Sequence, residues 1–138
     1  MKRILLSLVS LFLCSLLHSE VLPVETYYLP EPAQILLVSH FKDPVVDKAT
    51  LDTKDHTYQV LLKDGKQFTF DYFGDWLSID CIKEAVPLLL VPRRVRSKVA
   101  RSYGFATKPV KMVKHKQSHR AYIHVKLNNG KELTVDFN

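Results

Sequence analysis

Apolar residues along the chain follow two different periods. Ala33, Leu36, Leu37, Val38 and Phe41 recur at the three-to-four spacing of one buried helical stripe, and Val95, Val99 and Tyr103 recur at four-residue spacing. Elsewhere apolar and polar residues alternate. Tyr58, Val60 and Leu62 alternate with Gln59, Leu61 and Lys63; Phe68, Phe70 and Tyr72 with Gln67, Thr69 and Asp71; Leu77, Ile79 and Cys81 with Trp76, Ser78 and Asp80. Ile123, Val125 and Leu127, then Leu133, Val135 and Phe137, carry the same period. A period of two marks a half-buried strand. Glu31-Pro32 and Pro92 open the two helices, since proline is tolerated in a first turn, and Lys42-Asp43-Pro44 closes the first. Further strands are expected over residues 45–51 and 109–113. Lys63-Asp64-Gly65-Lys66 is expected to form a type I′ hairpin turn, and Asn128-Asn129-Gly130 a second turn.

The pattern occurs twice. Leu29-Pro30, Ala33, Leu37 and Phe41 recur 62 positions later as Val91-Pro92, Val95, Val99 and Tyr103. At an offset of 65, Val60, Leu62, Asp64-Gly65, Phe68, Phe70 and Asp71 recur as Val125, Leu127, Asn129-Gly130, Leu133, Val135 and Asp136. The expected architecture is α+β: a tandem repeat of a helix plus antiparallel strands, units 29–81 and 86–138, in a single domain over 29–138. About seven strands would form one sheet with the helices on one face and solvent on the other, as antiparallel sheets allow. The second unit has no counterpart of the strand at 76–80. Residues 20–28 read as a mobile lead-in.

Met1-Lys2-Arg3, an apolar run over 4–17 and His18-Ser19-Glu20 form the pattern of a secretory signal peptide, residues 1–19. The run falls short of the roughly 20 residues of a membrane span. A lipoprotein signal would use Cys14, but Leu13 stands where a small residue is needed, so the soluble exported form, periplasmic or secreted, is the expectation. Cys81 is then the sole cysteine of the mature chain, which excludes an internal disulfide. A core of roughly 120 residues must hold the fold unaided.

Leu29-Pro30-x-x-Ala33-Gln34, His40-Phe41, Asp64-Gly65, Phe70-Asp71-x-x-Gly74-x-Trp76-x-x-Ile79-Asp80-Cys81 and Val86-Pro87-x-x-x-Val91-Pro92 follow in order. This series resembles the exported PepSY-like family of the Bacteroidetes type, also described as resembling the beta-lactamase-inhibitor protein. The resemblance covers essentially the whole mature chain and implies a tandem helix-plus-strands fold with no established enzymatic activity. An inhibitory or peptide-binding role is implied only by analogy with distant relatives. Two features depart from the family pattern: Tyr103-Gly104 replaces an aromatic-proline ending of the second helix, and the chain ends at Asp136-Phe137-Asn138, which leaves open how the sheet edge is capped.

No nucleophile motif, phosphate loop or paired metal spacing occurs, so neither an enzyme nor a cofactor is expected. His115, His119 and His124 invite a metal reading, but 115–119 reads as a turn into a strand, with no cysteine or carboxylate close by to complete a site. Cys81 closes an apolar face and reads as a buried small hydrophobe.

Charge changes the picture. Residues 20–80 carry five Lys/Arg against eleven Asp/Glu, and residues 81–138 carry thirteen against three. The opposite halves can attract each other, within one chain or head to tail. Alternatively the basic half is an anion-binding surface. Arg93, Arg94 and Arg96, with Lys98 a turn on, crowd the start of the second helix, where cations oppose the helix dipole by roughly 0.3–1 kcal/mol each. Glu84 or the acidic half could neutralise them. Lipopolysaccharide, acidic glycan, anionic lipid headgroups or an acidic protein are the candidate anions; nucleic acid is not expected for an exported chain.

A second candidate surface comes from Trp76, which alternates opposite to Leu77, Ile79 and Cys81. It is expected on the open sheet face near Tyr122, His124 and Lys126, a set suited to a protein or peptide partner; the other reading folds it over Phe73-Gly74. The resulting expectation is a non-enzymatic exported binding module, inhibition included, that uses either its open sheet face or its basic half. Strand 131–137 is a third possibility, as an exposed edge that pairs with a second copy or a partner strand.

Overall fold

The computed structural model describes residues 20–137; the expected signal segment 1–19 and Asn138 lie outside the described residues. Eight antiparallel strands, each paired with the next along the chain, form one open sheet. They are β1 (Val21–Pro23), β2 (Val46–Asp52), β3 (Thr57–Leu62), β4 (Gln67–Phe70), β5 (Trp76–Asp80), β6 (Pro109–Gln117), β7 (Arg120–Leu127) and β8 (Glu132–Asp136). Helix α1 (Glu31–His40) precedes β2, and α2 (Arg93–Tyr103) lies between β5 and β6.

The alternation seen in the sequence becomes a transverse row of apolar residues. Ala49, Val60, Phe68, Ile79, Met112, Val125 and Leu133 stand opposite one another across seven strands. Ala33 and Leu37 of α1 and Val95 and Val99 of α2 join this face in a single core cluster. Each helix begins directly after a proline, Pro30 or Pro92, and neither has a side-chain cap. The next row on the opposite face, Lys48, Leu61, Gln67, Asp80, Lys111, Lys126 and Glu132, is polar except for Leu61.

Three expectations are corrected. Residues 21–23 are an eighth strand rather than part of a lead-in: Val21, Leu22 and Pro23 pair with Asp52, Leu51 and Thr50. Strand β6 runs through His115 to Gln117, beyond the expected 109–113, so the turn begins only at Ser118. The hairpin turns are not type I′, which needs positive φ at both central residues. Gly65 has φ +96° while Asp64 is not among the positive-φ residues. Gly65 N bonds Leu62 O, and Leu62 N bonds Lys66 O, which describes a tight turn followed by a glycine bulge. The hairpin at Gly130 repeats this arrangement, with Gly130 N on Leu127 O and Leu127 N on Lys131 O.

Candidate functional site

Helix α2 has no acidic residue in its first turn, so nothing there offsets the arginines. Val95 and Val99 point into the core. At about 100° per residue, Arg93, Arg96 and Ala100 then share one flank, and Arg94, Lys98 and Arg101 the other. Arg96 is thereby parted from Arg94 and Lys98, while Arg93 and Arg101 line the hollows on both sides of the helix.

The second flank faces β8. Lys98 Nζ donates to Thr134 O at 2.6 Å, and the Arg94 guanidinium lies 3.5 Å from Asp136 O. The Asp136 carboxylate in turn accepts from Arg120 Nε at 2.6 Å.

The first flank borders a groove of about 860 Å³. Val86, Leu88 and Val91 line it from the preceding loop, Val99 and Ala100 from the helix, and Phe105 from the following loop. The loop before α2 is held against β6 by Cys81 N on Val110 O and Val86 N on Pro109 O, at 2.9 and 2.8 Å. Gly104, at φ +84°, ends the helix and turns the chain outward to Phe105. Arg93, Arg96, Arg101 and Lys108 also line the groove, and no carboxylate does among the described residues. Glu84, the nearest acidic residue in sequence, is engaged by Lys66 Nζ at 2.9 Å. Lys66 also binds Asp64, which holds that carboxyl below the usual range and raises the Lys66 ammonium. Among the described residues, Arg93 and Arg96 have no ion-pair partner.

The open sheet face is arranged differently. Tyr122, His124 and Lys126 lie along β7 on that face, beside the Glu132 carboxylate of β8. His124 Nε2 is 3.5 Å from a Glu132 oxygen, and Lys126 stands opposite Glu132. The Tyr122 ring stacks on His115 at 4.9 Å, with the Arg120 guanidinium 4.7 Å from it.

Trp76 does not join this set, which corrects its expected placement. Strand β5 carries a bulge between Trp76 and Ser78, so Trp76 stands opposite Phe70, a core residue. The extra residue, Leu77, turns the ring to the helix side, where it packs against the core. Lys114, opposite the core residue Ile123, places its ammonium 3.8 Å from the indole centroid. Burial there lowers the Lys114 pKa, against the fields of Asp75 and Asp71.

Cys81 is buried, and burial pushes its thiol up to about 11. No group of three or more potential metal ligands gathers among the described residues. None of those residues forms a helix long and apolar enough to cross a membrane. The groove itself was not foreseen in the sequence. Its one signal is Leu88-Leu89-Leu90, an apolar run between prolines that fits neither period.

A small α+β scaffold with an open antiparallel sheet has counterparts among known proteins. A family model provisionally described as beta-lactamase-inhibitor-like and PepSY-like matches residues 56–138, and the chain belongs to that PepSY-like family. A solved protein of Bacteroides vulgatus, provisionally described as periplasmic, is 32% identical with TM-score 0.76, over 86% of this chain and 93% of its own. A Bacteroides thetaiotaomicron protein, provisionally described as calcium-regulated and periplasmic, is 28% identical with TM-score 0.74, over 85% and 90%. A further Bacteroides vulgatus protein, provisionally described as periplasmic and of unknown function, is 26% identical with TM-score 0.71, over 86% and 92%. No curated protein matches the chain. The family is described by likeness to an inhibitor, not by an enzymatic activity.

Proposed function

We propose that the protein is an exported, non-enzymatic binding module, built of two helix-plus-strands units, that holds an anionic ligand in the groove beside α2. One observation carries this reading: Arg93 and Arg96 lack acidic partners on the border of an apolar groove lined by no carboxylate among the described residues. Two unrelieved cations at a helix start are unfavourable for the fold, and a broken local rule often marks function. Export is supported by the signal-like start of the sequence and by relatives described as periplasmic.

The rival reading is recognition of a protein, including an enzyme to be inhibited, on the open sheet face. It is supported by the stacked Tyr122, since rigid tyrosines are favoured at protein interfaces. It has lost Trp76 from that face.

Titration with anilinonaphthalene sulfonate, an anionic apolar fluorophore, separates the two. The groove reading expects Arg93→Ala/Arg96→Ala to weaken binding about tenfold or more, with Tyr122→Ala unchanged. Equal affinity in wild type and the arginine variant would overturn it.

A further inference from the structure

Phe105 and Leu89 are the most exposed large hydrophobic side chains of the described residues, at 90% and 84%, and Leu88 is 65% exposed. A single exposed leucine is ordinary, but these three sit together. Leu88 and Phe105 line the same groove from its two flanking loops, and Leu89 follows Leu88 in the short 3-10 turn Leu88–Leu90. Arg93, Arg96, Arg101 and Lys108 share that site.

We infer that this end of the molecule docks on an anionic lipid membrane, with Leu88, Leu89 and Phe105 reaching the acyl boundary and the four cations meeting the headgroup phosphates. The inference rests on the groove reading above and names its ligand. Apolar tips set among cations are the pattern of interfacial anchoring on anionic lipid.

An acidic protein partner would engage the arginines but leaves the exposed Leu88, Leu89 and Phe105 without a role, whereas a bilayer takes both the cations and the apolar tips. The loop backbone is bonded at Val86 N to Pro109 O, Leu90 N to Pro87 O and Val91 N to Leu88 O, while the first-turn N–H groups of α2 stay open to an anion of any kind. Pro87, Pro92 and Pro109 have no N–H to offer. The site presents leucines and a phenylalanine, with neither Trp nor Tyr among its lining residues. A bilayer needs no directional donors. The charge asymmetry also sets an orientation, since an anionic surface attracts the basic half, residues 81–138, and repels the acidic half, residues 20–80.

The test is co-sedimentation of residues 20–138 with vesicles of mixed phosphatidylcholine and phosphatidylglycerol, against phosphatidylcholine alone. Wild type is expected to bind the mixed vesicles at least about tenfold more tightly, and to be released by salt. Arg93→Ala/Arg96→Ala should weaken vesicle binding about 30-fold. Leu89→Ser is the decisive variant, because Leu89 does not line the groove. It should lose about tenfold on vesicles and keep wild-type affinity for the soluble fluorophore. Ile35→Ser/Val38→Ser, on the exposed apolar side of α1, should bind vesicles as wild type does.

Absent vesicle binding, or unchanged binding by Leu89→Ser, overturns the membrane inference while arginine-dependent fluorophore binding leaves the groove reading standing. Tight capture of polyglutamate in place of vesicles also overturns it, in favour of an acidic protein. Loss of fluorophore specificity removes the groove reading itself.

Discussion

Lys98 Nζ donates a 2.6 Å hydrogen bond to the main-chain oxygen of Thr134, so a side chain of α2 covers the outer edge of β8. Phe137 N bonds Ala121 O, which turns the odd-numbered residues of β8 toward β7 and leaves the carbonyls of Thr134 and Asp136 outward. Arg94 approaches the second of these. Charged side chains on an edge are a recognised guard against strand addition. At the opposite edge β1 is three residues long and ends in Pro23, a guard of another kind.

Removing the guard should expose the edge. Lys98→Ala/Arg94→Ala is expected to self-associate in sedimentation velocity at high micromolar concentration, where wild type stays a single small species. The same variant should hold the anionic fluorophore within about twofold of wild type, because those side chains face β8 rather than the groove. An unchanged sedimentation profile would show that the edge is protected by something else.

Trp76 belongs to stability rather than to partner recognition on the open sheet face. Trp76→Ala removes a large ring that packs on the core beside Phe70 and is expected to cost about 2–4 kcal/mol in urea unfolding. Lys114→Met keeps the stem over the ring and removes a cation that burial disfavours, so it should leave stability within about 1 kcal/mol while shifting the emission of the lone tryptophan. Trp76→Ala unfolding with the wild-type midpoint would contradict this placement.

Gly74 is held by conformation and by space. Its φ is +92°, and a Cβ there would lie 2.9 Å from Pro30 Cβ and 3.1 Å from Ala33 N, at the start of α1. Gly74→Ala should therefore destabilise by at least about 2 kcal/mol, a fall in Tm of about 8 °C or more. Gly130→Ala has open space around its Cβ and only the φ of +85° to contend with, so it should cost about half as much. Calorimetry on the two variants checks the order.

Alkaline stability should depend on Cys81. Its folded pKa is raised from 9.0 to about 11, so burying the neutral thiol contributes stability that is intact below pH 9 and is lost as pH rises through about 11. The loss should approach about 2–3 kcal/mol, and Cys81→Ala should flatten the slope of unfolding free energy over that window. The raised pKa of Lys66 keeps its pairs with Asp64 and Glu84 intact up to the ordinary 10.5, and their contribution falls away only as pH rises beyond it, in the upper part of the same window. The lowered pKa of Asp64 sets the acid side, where its share of stability falls away below the usual carboxylate range. A wild-type slope in Cys81→Ala would show that another group titrates there.

Helix starts, strand alternation and most of the core were legible because they are local, though Val38 and Tyr72, which the periods assign to the inside, are exposed. Pro30 and Pro92 set the first turns, and a side-chain period of two or near four assigns Val60, Phe68, Ile79, Val95 and Val125 to the inside without knowledge of neighbours. The uneven charge of the two halves could also be counted from residues alone. Position relative to distant segments could not. The bulge at Leu77 inserts one residue, which reverses the face that simple alternation assigns to Trp76, and only pairing with β4 reveals it. Strand β1 is too short for a periodic signal and exists because β2 offers it an edge. Arg96 parted from Arg94 and Lys98 because burial of Val95 and Val99 fixed the rotation of α2, with Arg93 left bordering both sides. The groove required loops from both ends of that helix to meet, a contact that tertiary packing alone creates.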